Sequence, residues 1–260
     1  MKQIGPKTKL TGQILAAVVV VAFGNQVEFI TNPWGHVFYL GFLSIPLTIF
    51  WIVGFTNIVN LIDGLDGLAA GISLISSLTI FTFLWQMGQV DLACVALALA
   101  GAALGFLRYN FNPAKIFMGD TGSMLLGYTM ATISVMGAVK TAATISLVVP
   151  VIVLGLPILD TTFAIIRRKI NGRPVFKPDK GHMHHRLLAL GLSQKQAVLL
   201  MYAVTALLGY VAILLAKVNI LVGIIIVLAI LCVCVFIATK LGMIAKDEVI
   251  AEENRAANRH

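Results

Sequence analysis

The chain has 260 residues, 59% of them hydrophobic and only 12% charged, with a mean hydropathy of +0.95. A water-soluble globule carries roughly 45–50% apolar and about 25% charged residues, so that class is excluded and an integral membrane protein is indicated. The net charge of +8, from 19 Lys and Arg against 11 Asp and Glu, decides little as a sum. Its placement between apolar runs fits a lipid bilayer as partner and not nucleic acid.

The start, with Lys2, Lys7 and Lys9 before an apolar run, has the outline of a signal peptide without a convincing small-x-small cleavage site, so a retained membrane helix is expected. Breaking the chain at Gly, Pro and charge clusters gives about eight spans, near 11–26, 37–58, 64–86, 91–107, 121–138, 143–166, 196–216 and 219–239. The expected fold class is therefore all-α: a polytopic transmembrane helix bundle. Residues 1–240 form its membrane domain, including a loop at 167–195, and 241–260 a polar tail. Between the first two spans, Val27 to Trp34 alternates like a short strand pair around Thr31, Asn32 and Pro33; a hairpin and a plain loop are both open there. No repeat of about 20 to 50 residues and no inverted pair of broken helices is visible, which argues mildly against a transporter. Cys94, Cys232 and Cys234 lie in apolar runs without metal-ligand spacing and are expected to be buried small hydrophobes.

Eight spans place both termini on one side with the connections 59–63, 108–120 and 167–195. That side holds 17 of the 19 basic residues, leaving Lys140 and Lys217 opposite, and the positive-inside rule makes it cytoplasmic.

Acidic residues in membrane spans are costly and draw functional suspicion. Asp63, Asp66, Asp120 and Asp160 lie in or beside the central spans, each expected at or near a cytoplasmic helix end. In Asn60-Leu61-Ile62-Asp63-Gly64-Leu65-Asp66-Gly67, the three-residue spacing places both carboxylates on one face of the incoming helix. Gly64, Gly67 and Gly71 admit a close backbone or ligand, although a plain helix cap at Asp63 accounts for part of this pattern. A second stretch runs from Asn110 through Phe117 and Gly119 to Asp120, Thr121, Gly122 and Ser123. Asp120 there is a candidate ligand for a hard cation such as Mg²⁺, which pairs a carboxylate or two with phosphate oxygens; a simple cap is the alternative. The Asp120-Thr121-Gly122 triplet also spells the aspartic-protease motif, but that chemistry needs a second such loop and none exists. The third constellation is Arg167-Arg168-Lys169 followed by Lys177 to Arg186, with His182, His184 and His185. No Cys completes a zinc set, so a cationic, hydrogen-bonding cradle for phosphate or sugar fits better than a metal site. An ordinary positive-inside anchor remains the alternative for the basic run.

The three motifs in this order, Asn60 to Gly67, Phe117 to Ser123 and Gly181 to Arg186, resemble those of the polyprenyl-phosphate N-acetylhexosamine-1-phosphate transferases (glycosyltransferase family 4). The His182-Met183-His184-His185 form is most similar to the bacterial undecaprenyl-phosphate N-acetylglucosamine-1-phosphate branch. The resemblance implies a Mg²⁺-dependent enzyme, with Mn²⁺ as the other candidate ion. It would join the N-acetylhexosamine-1-phosphate of a UDP-N-acetylhexosamine to undecaprenyl phosphate, releasing UMP, at the cytoplasmic face of a bacterial inner membrane. It also implies roles: Asp63, Asp66 and Asp120 as catalytic, with Asp120 on the metal; Asn60, Asn110 and Phe117 at the nucleotide; Arg168, His182, His184 and His185 at the sugar and diphosphate. A homodimer is a further expectation. The family has additional upstream spans and a paired-Asp motif, so the chain is expected to start at an internal methionine of a longer protein and to be inactive alone. A non-catalytic family member and a transporter or lipid-binding protein stand as rival readings.

Overall fold

Apolar runs become helices because hydrocarbon offers the backbone no partners, and only helices or closed barrels satisfy it internally. The computed structural model describes residues 5–31, 36–141, 145–172, 181–218 and 220–240. In these, α1 (Pro6–Ala22) starts on a proline, whose missing N–H costs nothing at a first turn. A hairpin follows, β1 (Phe29–Thr31) against β2 (Val37–Tyr39), antiparallel with Ile30 opposite Phe38. The chain continues through α2 (Ser44–Leu61), α3 (Leu68–Gln86), α4 (Val90–Asn110), α5 (Gly119–Thr141), α6 (Ile145–Val153) and α7 (Gly155–Ile170). It ends with α8 (Met183–Ala189), α9 (Gln194–Leu215) and α10 (Ile220–Lys240). The α9 start is fixed by a capping box: Ser193 accepts from the Gln196 N–H while the Gln196 side chain accepts from the Ser193 N–H.

The bundle is all-α and polytopic, but its spans differ in detail from the eight expected. Among the described residues six helices are long and apolar enough to cross a membrane, seven if a bent pair counts as one span. At 17 residues α1 falls short of the roughly 20 a hydrocarbon core takes. The expected span 143–166 is α6 and α7, bent by 73°, where Pro150 inside α6 and Pro157 in the first turn of α7 each remove a backbone donor. The hairpin is real, but its second strand occupies the start of the expected span 37–58; Asn32 and Pro33 lie outside the described residues, as does the tail 241–260.

The core sits around α3, whose span is 67% buried, whereas only 6% of Val222–Lys240 is buried; Cys94 and Cys232 are exposed and Cys234 half-buried, so the cysteines do not lie in the core as expected. α3 packs against α4 and α9, and α2 against α5. Gly127 permits that last contact: a Cβ there would lie 2.8 Å from the Phe55 carbonyl oxygen. One level inward from the end of the bundle where the polar motifs gather, Gln13 of α1 and Asn57 of α2 exchange two amide hydrogen bonds, of 2.8 and 3.2 Å, locking the two helices in register.

Candidate active site

Gly119, with φ of 64°, opens α5 and puts Asp120 in its first turn. The Asn60 amide, from the last turn of α2, donates to Asp120 Oδ1 at 3.0 Å and to Ser123 Oγ at 2.8 Å. Ser123 in turn donates to the Gly119 carbonyl at 3.0 Å. The ammonium of Lys9, near the start of α1, pairs with Asp120 Oδ2. Three helix ends thus meet on one half-exposed carboxylate, one turn beyond the Gln13–Asn57 clamp.

Asp63 and Asp66 do not share a helical face, contrary to the sequence expectation. Residues 62–67 form a turn, and α3 begins only at Leu68 because Gly67 adopts a left-handed φ of 80°, which ends any continuous helical path. No side chain caps α3, so a cap at Asp63 is also ruled out. The two carboxylates diverge. Asp66 Oδ2 accepts from Asn112 Nδ2 and the Ala114 N–H, both at 3.1 Å, and so ties down the loop between α4 and α5. Asp63 faces the Asp120 side; burial, then the negative charge of Asp120, pushes its pKa up to about 6.

The Gly67 peptide is held at both ends. Its N–H donates to Asn110 Oδ1 at 3.1 Å and its carbonyl accepts from the Tyr202 hydroxyl of α9. Gly71, one turn on, is required by the same tyrosine, whose hydroxyl would lie 2.1 Å from a Cβ there. Asn110 Nδ2 donates to the Ile116 carbonyl at 2.9 Å, so this buried amide braces two backbone segments. Phe117, in the same loop, is 77% exposed and presents a free ring.

The histidine segment is anchored from within α7. Asp160, 2% exposed, accepts the Met183 N–H at 2.7 Å on Oδ1 and meets His182 Nδ1 at 2.9 Å on Oδ2. Its position in the second turn of α7, near that helix's start, is what lets it reach the segment that folds back. His182 and His184 lie with ring planes 4° apart and centroids separated by 5.8 Å, and His185 is 4.3 Å from His184. Burial, then His185, lowers the His184 pKa to about 4, so its ring is neutral near pH 7. The His184 ring packs on Gly64, joining the histidine segment to the acidic turn. Arg167 and Arg168 stand in the last turn of α7. Arg167 is buried, its guanidinium against Gly181, where a Cβ would lie 2.3 Å away, so it is more than the surface anchor its Arg-Arg-Lys context indicates. Residues 173–180, with Lys177 and Lys180, lie outside the described residues.

The fold therefore brings Asn60, Asp63 and Asp120 together with Lys9 and joins them through Gly64 to His184, beside His182 and His185. Asp66 and Asn110 serve the adjoining loop. Lys9, Ser123, Tyr202 and the Gln13–Asn57 pair went unpicked by sequence reasoning, although an amide in each of two apolar runs was a usable signal. Among the described residues no group of three or more His, Cys, Asp or Glu side chains is spaced to hold a metal ion.

Comparison with known proteins gives a consistent result. The model of "Glycosyl transferase family 4" matches residues 1–138. The chain is 44% identical over 243 residues to the probable undecaprenyl-phosphate N-acetylglucosaminyl 1-phosphate transferase of Bacillus subtilis (strain 168), covering 93% of this chain and 68% of that protein. It is 42% identical over 217 residues to the decaprenyl-phosphate N-acetylglucosaminephosphotransferase of Mycobacterium leprae (strain TN), covering 75% and 54%. It is 38% identical over 211 residues to the phospho-N-acetylmuramoyl-pentapeptide-transferase of Bacillus subtilis (strain 168), covering 80% and 63%. The chain thus spans between about half and two thirds of the length of these relatives. With three motifs gathered at one end of a polytopic bundle and these matches over most of its length, the chain belongs to glycosyl transferase family 4.

Proposed function

We propose that this protein transfers N-acetylglucosamine-1-phosphate, or a related N-acetylhexosamine-1-phosphate, from a UDP-sugar to undecaprenyl phosphate. An oxygen of the lipid phosphate bonds to the β-phosphorus of the donor, the bridge to the α-phosphate breaks, and UMP leaves. The single observation that carries this reading is the meeting of Lys9, Asp63, Asp120, the Asn60 amide and the histidine segment at one end of the bundle. Two anionic substrates must come together there, and attack requires their charge to be neutralised. In this reading the site faces the cytoplasm of a bacterial inner membrane, as the basic residues crowding that side support.

Asp63 and Asp120 are the groups that would hold Mg²⁺ or Mn²⁺. Their mutual repulsion, part of what lifts Asp63 to about 6, is the strain a divalent cation relieves, and a set of two carboxylates leaves coordination positions for phosphate oxygens and water. When bound, such an ion supplies charge neutralisation at the diphosphate. Asn60 fixes the Asp120 carboxylate. Phe117 offers its exposed ring to a uracil, and Asn110 with Asp66 holds the loop that carries it. In this reading Arg168, His182, His184 and His185 grip the donor's diphosphate and sugar.

The test is UMP release from UDP-N-acetylglucosamine by the purified protein in lipid nanodiscs, with and without undecaprenyl phosphate and Mg²⁺. Release that needs both is expected. Donor and lipid binding with no UMP formed would replace the transferase with a binding protein.

A further inference from the structure

Asp160 has no part in the acid cluster and is absent from the three motifs, yet it is among the most buried ionisable side chains, 2% exposed inside α7. Both of its oxygens are used, and both bonds go to the histidine segment more than twenty positions along the chain. A carboxylate buried to this degree is retained only where its partners satisfy it. Here one partner is the backbone N–H that opens α8 and the other is a ring nitrogen whose protonation the carboxylate can dictate.

We infer that Asp160 is a positioning residue for His182: it holds the imidazole with its proton on Nδ1 and turns the Nε2 edge away from α7 as the free hydrogen-bonding atom of the pair. Oδ1 already accepts the Met183 N–H, and the 2.9 Å contact leaves Oδ2 placed to accept from Nδ1; a neutral ring with its proton on Nδ1 leaves the Nε2 lone pair open. This is the arrangement by which an outer carboxylate fixes the tautomer and plane of a working histidine. The bond from the Met183 N–H to Oδ1 keeps the carboxylate from rotating out of the ring plane. The His184 ring lies parallel to it, with centroids 5.8 Å apart. Asp160 touches no substrate in this scheme; it acts only through His182. That Nε2 would meet the donor's diphosphate or sugar rests on the function proposed above, whereas the tautomer itself does not.

Two measurements separate those layers. Nitrogen-15 solid-state NMR of the histidine-labelled protein in lipid, with the His182 signal identified by its loss in His182→Gln, is expected to show a protonated Nδ1 and a bare Nε2. In Asp160→Asn the proton should move to Nε2, or the two forms should mix. A wild-type proton on Nε2 overturns the inference, whether or not the protein is a transferase. The second measurement is a double-mutant cycle on UMP release. Asp160→Asn is expected to lower kcat/KM about ten- to a hundredfold, the range for losing one charge-assisted bond, and to cost little more when added to His182→Gln. Losses that multiply would mean that Asp160 only braces α8, and the positioning role falls. Absence of UMP release by the wild-type protein under every condition would remove the proposed function and leave the NMR result to decide the tautomer.

Discussion

The ring of His184 rests on Gly64: a Cβ at that position would lie 2.7 Å from Nε2 and 2.9 Å from Cε1. The contact is the direct link between the histidine segment and the turn that carries Asp63. Gly64→Ala must therefore displace a buried ring, a kind of overpacking that costs about 1–3 kcal/mol. If the ring works where it sits, UMP release should fall roughly tenfold or more, since about 1.4 kcal/mol is a factor of ten. Gly101→Ala, where a Cβ meets nothing within 4 Å, serves as the control and should leave the rate unchanged. Equal rates in both variants would show that this contact has no bearing on turnover.

Two groups in this contact region titrate in opposite senses. Burial, then Asp120, raises Asp63 from 3.8 to about 6, so the folded protein holds that proton more tightly than the unfolded chain. Its contribution to stability is fully present below pH 3.8 and is lost as the pH rises through 6. Burial, then His185, lowers His184 from 6.5 to about 4, so its contribution is present above pH 6.5 and is lost as the pH falls toward 4. Between pH 4 and 6 the two slopes oppose each other. Thermal unfolding followed across that window should rise more steeply with pH in Asp63→Asn than in the wild type. In His184→Asn the slope should turn toward falling. Parallel profiles for all three proteins would contradict both shifts.

Asp66 accepts from the Ala114 N–H and from Asn112 Nδ2. Asp66→Ala removes the acceptor of both bonds, and leaving partly buried donors unsatisfied costs on the order of 1–3 kcal/mol. Hydrogen exchange at Ala114 should speed up by one to two orders of magnitude, while amides in the middle of α4 remain protected. Unchanged exchange at Ala114 would show that the loop is held by other contacts.

The Gln13–Asn57 clamp sets how α1 lies on α2, and so where Lys9 meets Asp120. Gln13→Leu leaves the Asn57 amide without its reciprocal partner and is expected to cost about 1–2 kcal/mol in thermal stability. Adding Asn57→Leu should restore much of that stability, because an apolar pair leaves nothing unsatisfied. Activity should stay low in the double variant, since the register is then no longer specified. A double variant with wild-type turnover would relieve the clamp of any role in alignment.

Composition alone determined that the chain is a membrane protein, because 59% hydrophobic residues cannot be hidden inside a globule of this size. The order of the motifs also made the family legible, since residues such as Asn60, Asp63 and Asp120 stand in short, local patterns. Helix ends were less legible. Periodicity continues across residues 62–67, and only the turn the backbone makes there, ending at the left-handed Gly67, parts Asp63, which feels the charge of Asp120, from Asp66, which ties down the loop after α4. The 73° bend between α6 and α7 could be suspected from Pro150 and Pro157, but its angle depends on what packs around it. Pairings between distant positions were beyond the sequence altogether. Nothing in the local pattern of Asp160 names His182, and nothing around Lys9 names Asp120 across 111 positions, because a hydrogen bond needs two atoms within about 3 Å and only the packing of helices brings them there.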